Sequence, residues 1–200
     1  MEIMEKRHFN MNPTSGQHEA KNAPSRARRA LSILLRSVLG GLLALLAGGL
    51  GYITGNLWLF PSLGPSIFMM VESPHIKSSS LYNMTVGHVV GIISGYTLAI
   101  ITGAAYVQSP FAVGHLQLSH VVASCIAIAL VILIHIPLKA SHPPAVATTF
   151  LITLGSFKAT WHDLSAILIG IVIIAIAGEI TRHMILSMER RGLIEVIGSG

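Results

Sequence analysis

The stretch that decides the architecture is residues 78–138, SSSLYNMTVGHVVGIISGYTLAIITGAAYVQSPFAVGHLQLSHVVASCIAIALVILIHIPL, which contains no Asp, Glu, Lys or Arg. A water-facing surface of that length without a charge exposes more contiguous apolar area than soluble proteins carry. The rest of the chain agrees with this stretch. Apolar residues make up 52% of the 200 positions and charged residues only 10%, where soluble domains carry roughly 25%. A soluble globular enzyme, a disordered chain and a secreted disulfide scaffold are excluded. The composition reads as an all-α integral membrane protein. Cys125 is the single cysteine, so no intramolecular disulfide can form. The net charge of +5 reads as basic residues kept on the cytoplasmic side, and no nucleic acid is expected as a partner.

Four segments, 31–54, 83–106, 119–138 and 164–186, have about the 20 apolar residues needed to cross a bilayer. Two shorter apolar segments lie between them, 57–71 (LWLFPSLGPSIFMMV) and 143–154 (PPAVATTFLITL). Both carry prolines at or near their start and are too short for a straight crossing, which predicts half-helices or broken spans. The order long, short, long recurs on either side of a polar-flanked link. It divides a membrane domain, 31–186, into halves 31–106 and 119–186, and predicts a 3+3 inverted repeat with its site at the breaks. Residues 1–30 are polar and aperiodic and predict a flexible basic cytoplasmic tail. Residues 187–200 predict a short cytoplasmic tail. Arg26, Arg28 and Arg29 at one end and Arg190 and Arg191 at the other predict a multi-pass protein of the inner (plasma) membrane with both termini cytoplasmic. The same rule favours six crossings over four, because six leave Lys77 and Lys139 inside.

Small residues recur at four-residue spacing in Gly87, Gly91 and Gly95, and in Ala47, Gly51 and Gly55. Such stripes let helix backbones approach closely in lipid, either within the bundle or across a homo-oligomer, for which a dimer is the expectation. Arg36 is expected to snorkel to the cytoplasmic interface, and Glu179 and Arg182 to form a local ion pair.

The short segments hold the candidate chemistry. In KASHPPAV (139–146), Pro143 and Pro144 suit a first helical position, and Ser141 or His142 suits the cap before it. Free amides and the positive dipole end at such a start form an anion site. Lys139 and His142 add positive charge, and Thr148 and Thr149 add hydroxyls. PSLGPS (61–66) repeats the device: its prolines break the helix, Gly64 permits unusual backbone angles, and Ser62 and Ser66 supply hydroxyls. Two helix starts meeting near mid-membrane would form a compact, positively polarised pocket. His88 reads as a buried histidine able to carry a proton. The spacings of His115 to His120 and of His135 to His142 are not those of a helical metal pair, and no metal or other cofactor is expected. Nucleophile elbow, Walker loop and dinucleotide fingerprint are all missing, so no enzyme is expected.

SHPPAVATTF (141–150), with PSLGPS before it and Asn83 to Gly87-His88 between, resembles the HPP family of bacterial and plastid integral membrane proteins. The resemblance covers about residues 35–186. It implies a membrane domain usually described with four spans, and, from plant and cyanobacterial members, a transporter or channel for a small monovalent anion, nitrite foremost. Two other readings stay open: a non-transporting subunit that binds partner helices through its Gly-rich faces, and a His-dependent membrane metal protein.

Overall fold

A computed structural model describes residues 26–197 of the chain. Seven α-helices are found among the described residues: α1 (Arg26–Thr54), α2 (Leu63–Glu72), α3 (Leu81–Ile101), α4 (Pro110–Val113), α5 (Leu118–Leu138), α6 (Pro144–Thr153) and α7 (Trp161–Arg190). Four of them, α1, α3, α5 and α7, are long and apolar enough to cross a membrane. The chain is an all-α integral membrane protein. The 21 residues of α3 and of α5 extend about 31 Å at 1.5 Å per residue, one hydrocarbon thickness. The 10 residues of α2 and of α6 extend about 15 Å, half of it.

Local chemistry sets the helix ends. The Ser80 hydroxyl accepts from the Asn83 amide at the start of α3, and Thr160 accepts from Asp163 at the start of α7. α5 ends beyond Pro137, with Lys139 in a left-handed conformation (φ 51°). The expected tail 1–30 changes at its inner edge: residues 1–25 lie outside the described region, and 26–30 are already helical. RARRA consists of good helix formers and continues into the apolar run. At the other end α7 runs on to Arg190, and the chain after it folds back. Ile194 is buried there, and the Glu195 amide and carbonyl both bond the Ser32 hydroxyl.

Contacts along the helices fix their directions. Ser32 meets Glu195 and Arg36 meets Glu189, so α1 begins where α7 ends. Leu81 meets Glu179 and Tyr96 meets Lys158, which makes α3 antiparallel to α7. Tyr82 meets Leu138 and Gly87 meets His135, which makes α3 antiparallel to α5. Gly87 faces His142 and Gly95 faces Ile152, so α3 and α6 run parallel; Gly170 faces Phe60 and Gly178 faces Met70, so α7 and α2 do too. α1 opposes α2, with Gly40 against Val71 and Gly48 against Leu59. The six principal helices therefore alternate in direction along the chain, and the segments holding α2 and α6 each return the chain to the opposite end. Each short helix packs on the long helix before it and on the last long helix of the other half.

The apolar core joins α1, α2, α3, α6 and α7 through residues such as Leu63, Met70, Met84, Ile152 and Ile171. Large apolar side chains also point outward, including Leu45 on α1, Leu133 on α5 and Ile180 on α7. In lipid, outward Leu and Ile meet a solvent of their own kind. Gly87, Gly91 and Gly95 pack as expected: a Cβ there would lie 2.8 Å from His142 Cβ, 2.8 Å from Ala145 O and 3.1 Å from Ile152 Cβ. Gly51 packs against the backbone of Asn56, where a Cβ would come within 2.7 Å of the carbonyl. Gly55 does not pack. It has φ +69° with open space beside it and turns the chain at the end of α1.

Candidate functional site: a buried histidine–hydroxyl cluster

The two short helices pass each other in opposite directions, and their polar side chains meet at the crossing. Ser62 and Ser66 are four residues apart and so share one face of the first turn of α2. His88 enters from α3, whose neighbouring Gly87 lets the chain at His142 come close. His142 lies just before α6, and Thr148 lies on its second turn. Ser62, Ser66, His88, His142 and Thr148 are all 0% exposed.

They bond to one another in an unbroken series. Ser62 Oγ lies 2.7 Å from Thr148 Oγ1, which lies 2.8 Å from His88 Nδ1. The other nitrogen of that ring, Nε2, lies 3.1 Å from Ser66 Oγ, and Ser66 Oγ lies 2.9 Å from His142 Nε2. His142 Nδ1 then donates to the Ser78 carbonyl at 2.7 Å. Ser66 Oγ is also 3.1 Å from the Ser62 carbonyl, so one hydroxyl has three polar neighbours. The two imidazole rings stand 5.0 Å apart, closer to edge-on than stacked. Around them, Thr149 donates to Gly91 O, and His135 Nε2 donates to Gly87 O at 3.2 Å. Asn83 Nδ2 donates to the carbonyls of Lys139 and Ser141, which holds the loop before α6 against α3.

Five of the expected site residues thus come together, and the others do not. Lys139 and Ser141 are exposed, and their carbonyls rather than their side chains engage the cluster's surroundings. The left-handed turn at Lys139 follows from the break at Pro137 and carries its ammonium outward. Ser141 is not the cap of α6. Pro143 occupies that position, exposed and without a side-chain bond, and Pro144 is the buried first residue. Gly64 is an ordinary helical residue on the outer face of α2 and lines a groove of about 410 Å³ between α1 and α2.

The polarised pocket between two free amide ends is also corrected. The helix starts lie side by side, with Ser62 level with Thr148 and Ser66 level with His142. Three of their first amides are already engaged: Leu63 N donates to Phe60 O, Ala145 N to His142 O, and Val146 N to Pro143 O. Pro65, Pro143 and Pro144 have no N–H to offer.

Fixed charge gathers instead at the end where α1 begins and α7 finishes. Arg36 is 5% exposed and does not snorkel. It donates to the carbonyls of Val71 (2.6 Å) and Glu72 (3.1 Å) at the end of α2, and pairs with Glu189. Glu179 and Arg182 pair at 2.7 Å as expected. Glu179 also accepts the Leu81 amide at the start of α3, where four amides lack helical partners.

Ser78 O, Asn83 and His135 as partners of the cluster, and Gly170 and Gly178 as packing positions, are not anticipated by the sequence pattern. Asn83 was the legible one: an amide side chain at the start of an apolar helix has to find partners. Among the described residues no three metal-ligating side chains converge.

No curated protein and no solved structure matches the chain. The family model described as HPP, transmembrane region, does match, over residues 26–191. That span runs from the first residue of α1 to just past the end of α7 and takes in both short helices with the histidine and the prolines between them, and so the chain belongs to the HPP transmembrane family.

Proposed function

We propose that the protein is a transporter of a small monovalent anion, with nitrite the leading substrate. The observation that carries this reading is the buried histidine–hydroxyl cluster, built by both halves at the crossing of two half-length helices. Paired short helices in a bundle whose halves run in opposite directions are a recurrent setting for transport sites. The alternating helix directions support an inverted repeat. Arg26, Arg28 and Arg29 on α1 and Arg190 and Arg191 at the end of α7 lie at one end of the bundle, which supports a cytoplasmic side for both termini.

In the state described, the cluster is closed on itself. For an anion to enter, α2 and α6 part, and the hydroxyls of Ser62, Ser66 and Thr148 with the ring N–H groups of His88 and His142 turn their hydrogens to it. Among the described residues no Lys or Arg side chain bonds to the cluster, so binding there is weak enough for release. The partner-subunit reading needs free glycine faces, whereas Gly87, Gly91 and Gly95 are filled by α6 and the loop before it.

Nitrite uptake into proteoliposomes tests the proposal. His142→Ala removes a ring bonded to both Ser66 and Ser78 and brings uptake down to the protein-free rate. Lys139→Ala, at an exposed position, leaves uptake within about twofold of the wild type, a difference of roughly 0.4 kcal/mol. Wild-type vesicles no faster than empty ones sink the reading.

A further inference from the structure

The protons in the cluster can be ordered from the geometry. The Ser78 carbonyl can only accept, so His142 Nδ1 carries a hydrogen. With a neutral ring, His142 Nε2 is then an acceptor, and the Ser66 hydroxyl satisfies it by pointing its single hydrogen there; turned to the Ser62 carbonyl instead, it would leave Nε2 facing a bare oxygen. Ser66 Oγ in turn accepts, so His88 carries its hydrogen on Nε2 and presents a bare Nδ1 to Thr148. The Thr148 hydroxyl donates to that nitrogen and accepts from Ser62. Every hydrogen in the series points the same way, from Ser62 through Thr148, His88, Ser66 and His142 to Ser78 O. The reverse order leaves His142 Nδ1 facing a carbonyl with no hydrogen between them, unless the ring takes a second proton.

Three further features bear on what such a series does. Each ring enters through one nitrogen and leaves through the other, which is how imidazole passes a proton along. Ser66 has a second acceptor, the Ser62 carbonyl at 3.1 Å, to which its hydrogen can swing when His142 is doubly protonated. The ends lie toward opposite ends of the bundle: Ser62 follows the exposed Pro61, and Ser78 is half-buried in the 3₁₀ turn after α2. The Ser62 end is fully covered, so the series is not open to water from both ends at once. The titratable neighbour is His135, held by Gly87 O; Lys139 on the same loop faces outward.

We propose that the series from Ser62 to His142 is a proton relay through which each anion is carried together with a proton. This rests on the transport reading above and adds the coupling ion to it. A proton reaches Ser62 Oγ from water admitted when α2 and α6 part, and it moves on once they have closed and the series is whole again. Each group forms a bond to the incoming proton and releases its own to the next. One proton then leaves His142 Nδ1 to water at Ser78, and the groups turn back to the order described. With cytoplasmic termini, the relay runs inward.

Two measurements decide it. Nitrogen NMR of ¹⁵N-histidine-labelled protein in lipid nanodiscs, with His88→Gln and His142→Gln as assignment controls, reads the tautomers directly. The expected result is opposite tautomers, Nε2–H for His88 and Nδ1–H for His142; the same tautomer in both overturns the relay. In parallel, proteoliposomes with an internal pH dye and a clamped membrane potential receive a nitrite gradient at alkaline pH, with empty vesicles as control for nitrous acid leakage. The relay predicts internal acidification that keeps step with nitrite and an uptake rate indifferent to membrane potential. His88→Gln, which cannot pass a proton from one ring nitrogen to the other, loses the acidification. Nitrite uptake without proton movement, or a His88→Gln variant with an unchanged proton-to-nitrite ratio, overturns the relay while leaving transport standing. Absence of any nitrite uptake overturns the transport reading and, with it, the coupling.

Discussion

Two interfaces do the same mechanical work in this molecule with different chemistry. In one, α3 lays Gly87, Gly91 and Gly95 against α6 and the chain before it; in the other, α7 lays Gly170 and Gly178 against α2 and the chain before it. Both pairs run parallel, and both join the last long helix of one half to the short helix of the other. The α3–α6 contact is close enough for backbone to meet side chain, and it carries His88, His142, Thr148 and Thr149. The α7–α2 contact is filled by Phe60, Met70, Ile171 and Ile174 and carries no polar series. A shared way of packing thus leaves one interface free to act as scaffold while the other holds the chemistry.

The sharpest way to break this comparison is to widen both interfaces. Gly91→Leu drives a side chain into the Ala145 carbonyl and the Thr149 hydroxyl, at 2.8 and 2.9 Å from where its Cβ must go. Backbone cannot step aside, so the expected loss is about 3 kcal/mol or more of stability, read as a fall in melting temperature of the detergent-solubilised protein and loss of folded yield. A smaller effect is expected of Thr148→Val, which keeps the shape but leaves Ser62 and His88 Nδ1 without their shared partner. About 1–2 kcal/mol is lost, and nitrite uptake falls. An unchanged melting temperature would show that the cluster adds nothing to folding. The smallest effect belongs to Gly178→Ala. The atoms nearest its new methyl are the sulfur and terminal methyl of Met70, a flexible end that can swing away. The expected cost is at most about 1 kcal/mol; a loss equal to that of Gly91→Leu would make the two interfaces mechanically alike.

The long helices were legible because lipid demands a run of apolar residues and little else. The members of the cluster were legible for a related reason: Ser62, Ser66, His88, His142 and Thr148 are polar residues inside apolar segments, where each has to find a partner. Who partners whom was not legible. Reading Lys139 as part of the site treated sequence adjacency to His142 as spatial adjacency, and a single left-handed residue undid it. The anion pocket failed because amides drawn as free at a helix start are met by the preceding turn's carbonyls. Arg36 was read as an isolated charge near an interface because its partner, Glu189, lies 153 residues away. Gly170 and Gly178 escaped notice because the position between them is Ile174, so no four-residue repeat stands out.

The pairing of Arg36 with Glu189 has a consequence for how the protein is made. The arginine lies on α1 and its counter-ion on α7, 153 positions later, so the carboxylate is synthesised well after the guanidinium. The guanidinium meets this carboxylate only when α7 docks beside α1. Docking of α7 is thereby written into the electrostatics of α1: without Glu189 beside it, Arg36 is a buried cation lacking its counter-ion.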